Sequence, residues 1–247
     1  MSRFFVEPAN IKDHYVYIDN QEDINHIKKV LRLSQNDTIM ICDGHGKEYK
    51  ASIEEINHKE VKAKMLEASV SSGEPSIRVT LYQGIPKAAK MEYIIQKVTE
   101  LGIENIVPVM MHRTVVKFDG QKGQQKKVSR WQRIAYEAAK QSNRGRIPKV
   151  FAPISYDEAI GQMSRMDIPL IPYEQEQSNA LKDVLKDRTD AKSIGIMIGP
   201  EGGFDDEEVK KAKELGLSPI TLGPRILRTE TAGMAVLAIL MYVMGEI

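Results

Sequence analysis

The 247-residue sequence holds a single cysteine, Cys42, and a single tryptophan, Trp131. A lone thiol cannot close an internal disulfide, so the fold must rest on packing and a reducing compartment is expected. Cys42, at the end of Thr38-Ile39-Met40-Ile41-Cys42, reads as a small buried apolar residue. The five histidines, His14, His26, His45, His58 and His112, form neither an HExxH pair nor a cysteine–histidine set, so no metal is expected. No Gly-x-x-x-x-Gly-Lys-Ser/Thr loop is present, which argues against a P-loop nucleotidase. No Gly-x-Ser-x-Gly elbow occurs either. Asp43-Gly44-His45-Gly46 comes nearest to a dinucleotide loop and reads better as a hairpin turn. Long apolar runs are also missing. The most apolar stretch, 234–244, is roughly half of what a bilayer requires. Residues 1–6 lack the basic start and apolar stretch of a secretory signal. A cytoplasmic protein with no membrane partner is expected.

Net charge is only +1, but its distribution is uneven. Residues 112–149 carry eleven basic side chains against Asp119 and Glu137, giving +9 and leaving −8 for the rest. Such asymmetry is the footprint of a nucleic-acid surface, or else of a solvated basic loop.

The first 70 residues read as short strands: 3–6, 14–18, 38–42, 48–56 and 61–68. One helix interrupts them, with Ile24, Ile27, Val30 and Leu31 at helical spacing. This pattern suggests a small β-barrel. Ser71-Ser72-Gly73-Glu74-Pro75 is the linker candidate, so domains of 1–72 and 73–247 are expected. Beyond it strands and helices alternate. Strands are expected at 77–82, 105–110, 149–151, 168–171, 194–198 and 219–222. Helices are expected at 88–101, around Trp131, and at 156–163, 179–186, 206–215 and 231–244. Alternation of this kind implies an α/β domain, a parallel sheet covered by helices on both faces. The last helix is apolar on nearly every face, which predicts burial in a core or a subunit interface.

Two glycine loops end successive strands. Ile198-Gly199-Pro200-Glu201-Gly202-Gly203-Phe204 runs into Asp205 and Glu208, spaced as a capping box. Leu222-Gly223-Pro224-Arg225-Ile226-Leu227-Arg228-Thr229-Glu230-Thr231 runs into the last helix. Glycine accepts positive φ and lets a ligand touch backbone N–H groups. In a parallel sheet, such loops lie at the carboxyl edge where ligands bind.

Together these two motifs resemble the RsmE family of small-subunit ribosomal RNA (uridine-N3) methyltransferases, of the SPOUT class. Arg3-Phe4-Phe5 and Asn25-His26-Ile27-Lys28-Lys29-Val30-Leu31-Arg32 resemble its PUA-like RNA-binding domain. The 87–100 helix and the segment around Arg113 also match, so the resemblance covers essentially the whole chain. It implies an N-terminal PUA-like barrel and a C-terminal SPOUT domain tied in a trefoil knot, although topology rules alone would argue against a knot. It implies a homodimer that uses S-adenosylmethionine to methylate ribosomal RNA or the small ribosomal subunit. By position, the cofactor would lie against Ile198, Gly199, Pro200, Glu201, Gly202, Gly203, Leu222, Gly223, Leu227, Arg228, Thr231 and Ala232, with Pro172 and Tyr173 as a third wall.

Methylating an imide nitrogen needs a proton acceptor and a group that stabilises charge on the flanking carbonyls. Arg228 is the candidate for the second task, and Glu201 or Glu230 for the first. Either glutamate could instead only hold a loop. RNA phosphates would meet Arg3, His26, Arg32, Arg113, Lys117, Arg144 and Arg146. Two alternatives stay open: a related methyltransferase acting on another RNA site, and a non-enzymatic RNA-binding assembly factor with a degenerate cofactor loop.

Overall fold

The computed structural model describes residues 1–186, 188 and 190–247. The chain divides into two units, Met1–Glu74 with Ala139–Ile147, and Pro75–Ala138 with Pro148–Ile247. The chain first passes from one unit to the other between Glu74 and Pro75. The return of 139–147 to the first unit has no local signal in the sequence.

In the first unit β1 (Arg3–Phe5), β2 (Ile11–Lys12), β3 (Tyr15–Ile18), β4 (Thr38–Cys42), β5 (Lys47–Ile56) and β6 (Val61–Val70) form one sheet in the order β1-β4-β5-β6-β3-β2. Only β1 and β4 pair in parallel; the other neighbours are antiparallel. Val16 and Ile18, Ile39 and Ile41, and Ala51 and Ile53 share one core with Phe4. This is the two-residue period of a half-covered antiparallel sheet. The helix expected through Leu31 is instead α1 (Gln21–Asn25) followed by one π turn, His26–Val30. The Leu31 N–H donates to the His26 carbonyl at 2.9 Å. Wider winding turns Val30 away from the core that holds Ile24 and Ile27, leaving it 69% exposed.

Two arginines expected on an RNA surface lie inside this unit. Arg144 is 3% exposed. Its Nη2 donates to Glu74 Oε2 at 2.8 Å, while Glu74 Oε1 accepts the N–H groups of Gly145 and Arg146 at 2.8 and 3.0 Å. Arg3 Nη1 donates to Glu48 Oε2 at 2.8 Å and to Cys42 Sγ at 2.9 Å. Each guanidinium neutralises a largely buried carboxylate and is withdrawn from phosphate, which corrects both assignments. Burial pushes the Cys42 thiol up to about 11, against the opposing effect of Arg3, so the thiol is inert at neutral pH.

The second unit contains β7 (Arg78–Gly84), α2 (Lys90–Glu100), β8 (Asn105–Met110), α3 (Gly120–Gln141), β9 (Lys149–Val150), β10 (Ile154–Ser155), α4 (Tyr156–Met163), β11 (Ile168–Pro172), α5 (Leu181–Leu185), β12 (Ser193–Ile198), α6 (Asp206–Glu214), β13 (Pro219–Ile220) and α7 (Thr229–Val243). The sheet order is β10-β8-β7-β12-β11-β13, with β9 beside β8, and every pair is parallel. Val79, Leu81, Ile194 and Ile196 join α2, α5 and α7 in one core; Tyr82 and Met197 join α4 and α6 in the other. Both faces are thus covered, as the alternating sequence requires. Within the single chain α7 is covered on one side only: Ile239, Tyr242 and Val243 are 43%, 74% and 37% exposed. Val236, Leu237 and Leu240 provide its buried stripe, each contributing about 1.5–3 kcal/mol.

Glu74→Ala should destabilise the chain by about 3–5 kcal/mol in urea unfolding, because Arg144 would be left buried without its carboxylate. A loss below about 1 kcal/mol would show that this pair does not secure the returning segment.

Candidate active site

The chain fills the sheet outward from β7 to β8 and β10, then crosses to β11 and returns to place β12 between β7 and β11. Reversal of direction of this kind opens a crevice at the carboxyl ends of the strands. Connections after β7, β11, β12 and β13 line a cavity of about 880 Å³ there.

Its floor is the loop after β12. A Cβ on Gly199 would stand 3.0 Å from the Gly203 carbonyl carbon. Gly203 has φ +67, a region that costs a side chain but not glycine. Gly84, ending β7, lies under the same loop: a Cβ there would meet Pro200 Cδ at 2.6 Å and Pro200 N at 2.7 Å. Beneath, a relay fixes the floor. Buried Gln83 donates through Nε2 to Thr229 Oγ1 at 2.9 Å, and Thr229 donates to the Gly199 carbonyl at 2.6 Å.

One wall is charged. Lys90, in the first turn of α2, places Nζ 3.2 Å from Glu201 Oε1 and 3.3 Å from Glu230 Oε2. The Lys87 N–H donates to Glu201 Oε1 at 3.0 Å; between the two lysines, Ala88 takes φ +52. Burial alone would raise the Glu201 carboxyl, but N–H donors from its own backbone and Lys87, with the Lys90 ammonium, hold it below the usual range. Hydrogen bonding to Glu201 raises Lys90 in turn, against some desolvation and with help from Glu230. Glu230 Oε2 is buried and accepts no well-formed hydrogen bond; Lys90 stands beside it as an ion-pair partner.

Opposite lies the turn after β11. Glu176 Oε1 accepts from Ser178 Oγ at 2.6 Å and from the N–H groups of Ser178, Asn179 and Gln177. The Ser178 hydroxyl, then these backbone donors, hold its carboxyl down to about 2. Tyr173 packs edge-on to Phe204, with ring centres 6.2 Å apart.

Of the residues predicted to face a cofactor, Pro172, Tyr173, Ile198, Gly199, Pro200, Glu201, Gly203, Leu222, Gly223, Leu227, Arg228 and Ala232 line this cavity, together with Glu230. Gly202 and Thr231 do not. The Gly202 carbonyl accepts from Arg113 Nη1 at 2.8 Å on the outer side of the loop, and Thr231 points from α7 into solvent. Arg113 therefore braces the glycine loop while staying exposed. Lys117, Arg32 and Arg146 are exposed as well, the last donating to the His45 carbonyl at 3.2 Å. His26 is half-buried, edge-on to Phe4 at 6.1 Å. Sequence reasoning missed Lys90, Glu176 and Gln83. Lys90 looks like any polar residue of an amphipathic helix, and its partners lie 111 and 140 positions away.

Fold and site together define a class. Residues 73–241 match the family model of the RNA methyltransferase domain, and residues 18–66 that of the RNA methyltransferase PUA domain. Ribosomal RNA small subunit methyltransferase E of Bacillus subtilis is 34% identical over 98% of this chain and 96% of its own. Its counterpart in Mesomycoplasma hyopneumoniae is 35% identical over 96% and 97%. The crystal structure of the Neisseria gonorrhoeae enzyme of that name, bound to S-adenosyl methionine, superposes with a TM-score of 0.87 at 32% identity, covering 98% of each chain. A Legionella pneumophila methyltransferase in complex with the same cofactor gives 0.84 at 31% identity over 97% and 96%. The chain belongs to the ribosomal RNA small subunit methyltransferase E family.

Glu201, with its lowered pKa, contributes stability that is present above its unfolded value and lost as pH falls through the folded one. Lys90, with its raised pKa, contributes stability lost only as pH rises past its folded value. The wall should therefore stay intact from about pH 5 to 9. Lys90→Met would leave two carboxylates facing each other, so its melting temperature should drop and rise again as pH is lowered toward about 5. A variant melting curve parallel to wild type across that range would show that Lys90 does not bind this wall together.

Proposed function

We propose that this chain transfers a methyl group from S-adenosylmethionine to N3 of a uridine in small-subunit ribosomal RNA, in the cytoplasm. The observation that carries the reading is the pocket at the switch point, in which a backbone cradle closes against a wall of two carboxylates and one ammonium. The cradle fits the cofactor. Gly199 and Gly203, packed backbone on backbone, line the cavity without side chains to fill it, Ile198, Leu222, Leu227 and Ala232 give an apolar bed for a planar base, and the polar wall suits an amino-acid end. Bound S-adenosylmethionine would supply an electrophilic methyl on cationic sulfur.

The chain's own residues would supply orientation and proton handling. Arg228, the N-cap residue of α7, is exposed at the pocket and has no ion-pair partner among the described residues. It is placed to meet a uracil carbonyl, where negative charge grows as the imide proton leaves. Glu230 lines the pocket with a side chain that is only partly buried, and its carboxylate is the acceptor assigned to that proton. Glu201 is already engaged by Lys87 and Lys90 and serves to position the loop. Lys90 stands 3.3 Å from Glu230 Oε2. The N3 proton passes to Glu230 as N3 forms its bond to the methyl carbon, and the sulfur keeps the electron pair of the broken bond. Alignment of these atoms supplies much of the remaining acceleration.

The trefoil path and homodimer implied by the resemblance belong to the same proposal. For the dimer, support comes from a second cavity of about 590 Å³ beside the first, lined by Leu181, Leu185, Leu222, Leu227, Ile239 and Val243. A second copy would cover the exposed apolar side chains of α7. A light-scattering mass of one chain at micromolar concentration would overturn this.

Incubation with labelled cofactor and small-subunit RNA or subunits lacking the modification, followed by digestion, should yield N3-methyluridine. Arg228→Ala should slow methylation by about 10²–10³-fold and Glu230→Gln by about 10²–10⁴-fold, with cofactor saturating. Wild-type rates in both variants would remove these roles, and a different methylated nucleoside would redirect the specificity.

A further inference from the structure

Within the second unit, residues 120–138 of α3 carry Lys122, Lys126, Lys127, Arg130 and Arg133 against a single acid, Glu137. At 100° per residue, Lys122, Lys126, Ser129 and Arg133 fall within an arc of about 60°. All four are exposed, on the side away from buried Trp131 and Ala135. Among the described residues neither Lys122 nor Lys126 has an acidic partner. Local energetics disfavour this arrangement. Like charges one turn apart repel, and cations in the opening turns oppose the helix dipole. An anionic partner along the stripe would reverse both penalties.

The stripe also leads to the pocket. On one flank Arg130 Nε and Nη2 lie 2.8 and 2.9 Å from the Glu92 carboxylate, two residues along α2 from Lys90 in the pocket wall. The segment from β8 to α3 carries Arg113, which holds the Gly202 carbonyl, and exposed Lys117. Lys127 Nζ sits 5.0 Å from the centre of the Phe118 ring and ties that segment to the helix. Lys122 and Lys126 are spaced by about 6 Å along the axis, the scale of neighbouring phosphates on one strand, and Arg133 follows about 10 Å further on.

We propose that this face of α3 is a phosphate track for the RNA strand flanking the target base, with Lys122 and Lys126 as its first contacts. The inference rests on the RNA-methylating reading of the adjoining pocket. The arc holds no large apolar side chain, which favours a polyanion over a lipid surface.

The test compares wild type, Lys122→Gln/Lys126→Gln, and a control with the same charge removed from α6, Lys210→Gln/Lys213→Gln. Glutamine and lysine have similar helix propensity, so α3 should remain folded. A small-subunit ribosomal RNA transcript is titrated at several salt concentrations, and S-adenosylmethionine binding is measured in parallel by calorimetry. The α3 variant should lose about tenfold or more in RNA affinity. Its plot of log affinity against log salt should become shallower by about 1–2, while cofactor affinity stays unchanged and the control behaves as wild type. An unchanged slope and affinity in the α3 variant, with wild type binding RNA, overturns the track alone. An equal loss in the control overturns it too. Failure of wild type to bind RNA at any salt removes the parent reading, and the track with it.

Discussion

The parallel pairing of β12 with β7 is the contact on which the rest of the second unit depends. Six residues stay in register, from Ser193 opposite Arg78 to Ile198 opposite Gln83. At the end of that register two loops must pass one another, and Gly84 permits it because it has no Cβ to meet Pro200. Everything at the pocket floor follows. With the Pro200 loop seated, Glu201 reaches the Lys87 N–H and Lys90, and Gly199 meets Thr229 at the head of α7. A parallel sheet gains this geometry only after a long crossover, so the site is assembled from four distant stretches of chain.

Charge on this protein is sorted by burial more than by composition. Arg3 and Arg144 look no different in the sequence from Arg113 or Arg228. They end up inside because Glu48 and Glu74 are buried with them, and a buried carboxylate without a cation costs several kcal/mol. Arg113, Lys117 and Arg228 stay out because they project from strand-to-helix connections and from a helix cap. The same sorting puts Lys90 between two glutamates. Two carboxylates against one ammonium give that wall an excess of one acidic group, which suits a cationic ligand.

Read this way, the pocket and the basic face of α3 are two parts of one surface in the second unit. The segment from β8 to α3 links them, braced at one end by Arg113 on the glycine loop and at the other by Lys127 on Phe118. A pocket that takes a small ligand and a track that takes a strand need different physics. The first needs backbone approach and a few buried polar groups, the second unpaired charge in water. The α2 helix serves both, with Lys90 in the pocket wall and Glu92 on Arg130 of α3.

The sequence by itself determined the class of fold. Strand-length apolar runs alternating with helical periods require a parallel sheet with both faces covered, and the two-residue period before residue 70 requires an antiparallel one. It also marked the glycine loops, because positive φ and backbone contact demand glycine at those points whatever surrounds them. The tertiary structure alone decided which charges serve the site. Lys90, Gln83 and Glu176 carry no local signature, and Arg144 gives no sign that it will be buried. It also decided that Val30 turns outward on a π turn and that residues 139–147 return to the first unit. Each of these depends on partners far along the chain, and periodicity reports only which face of an element is apolar, never which distant charge will be set against it.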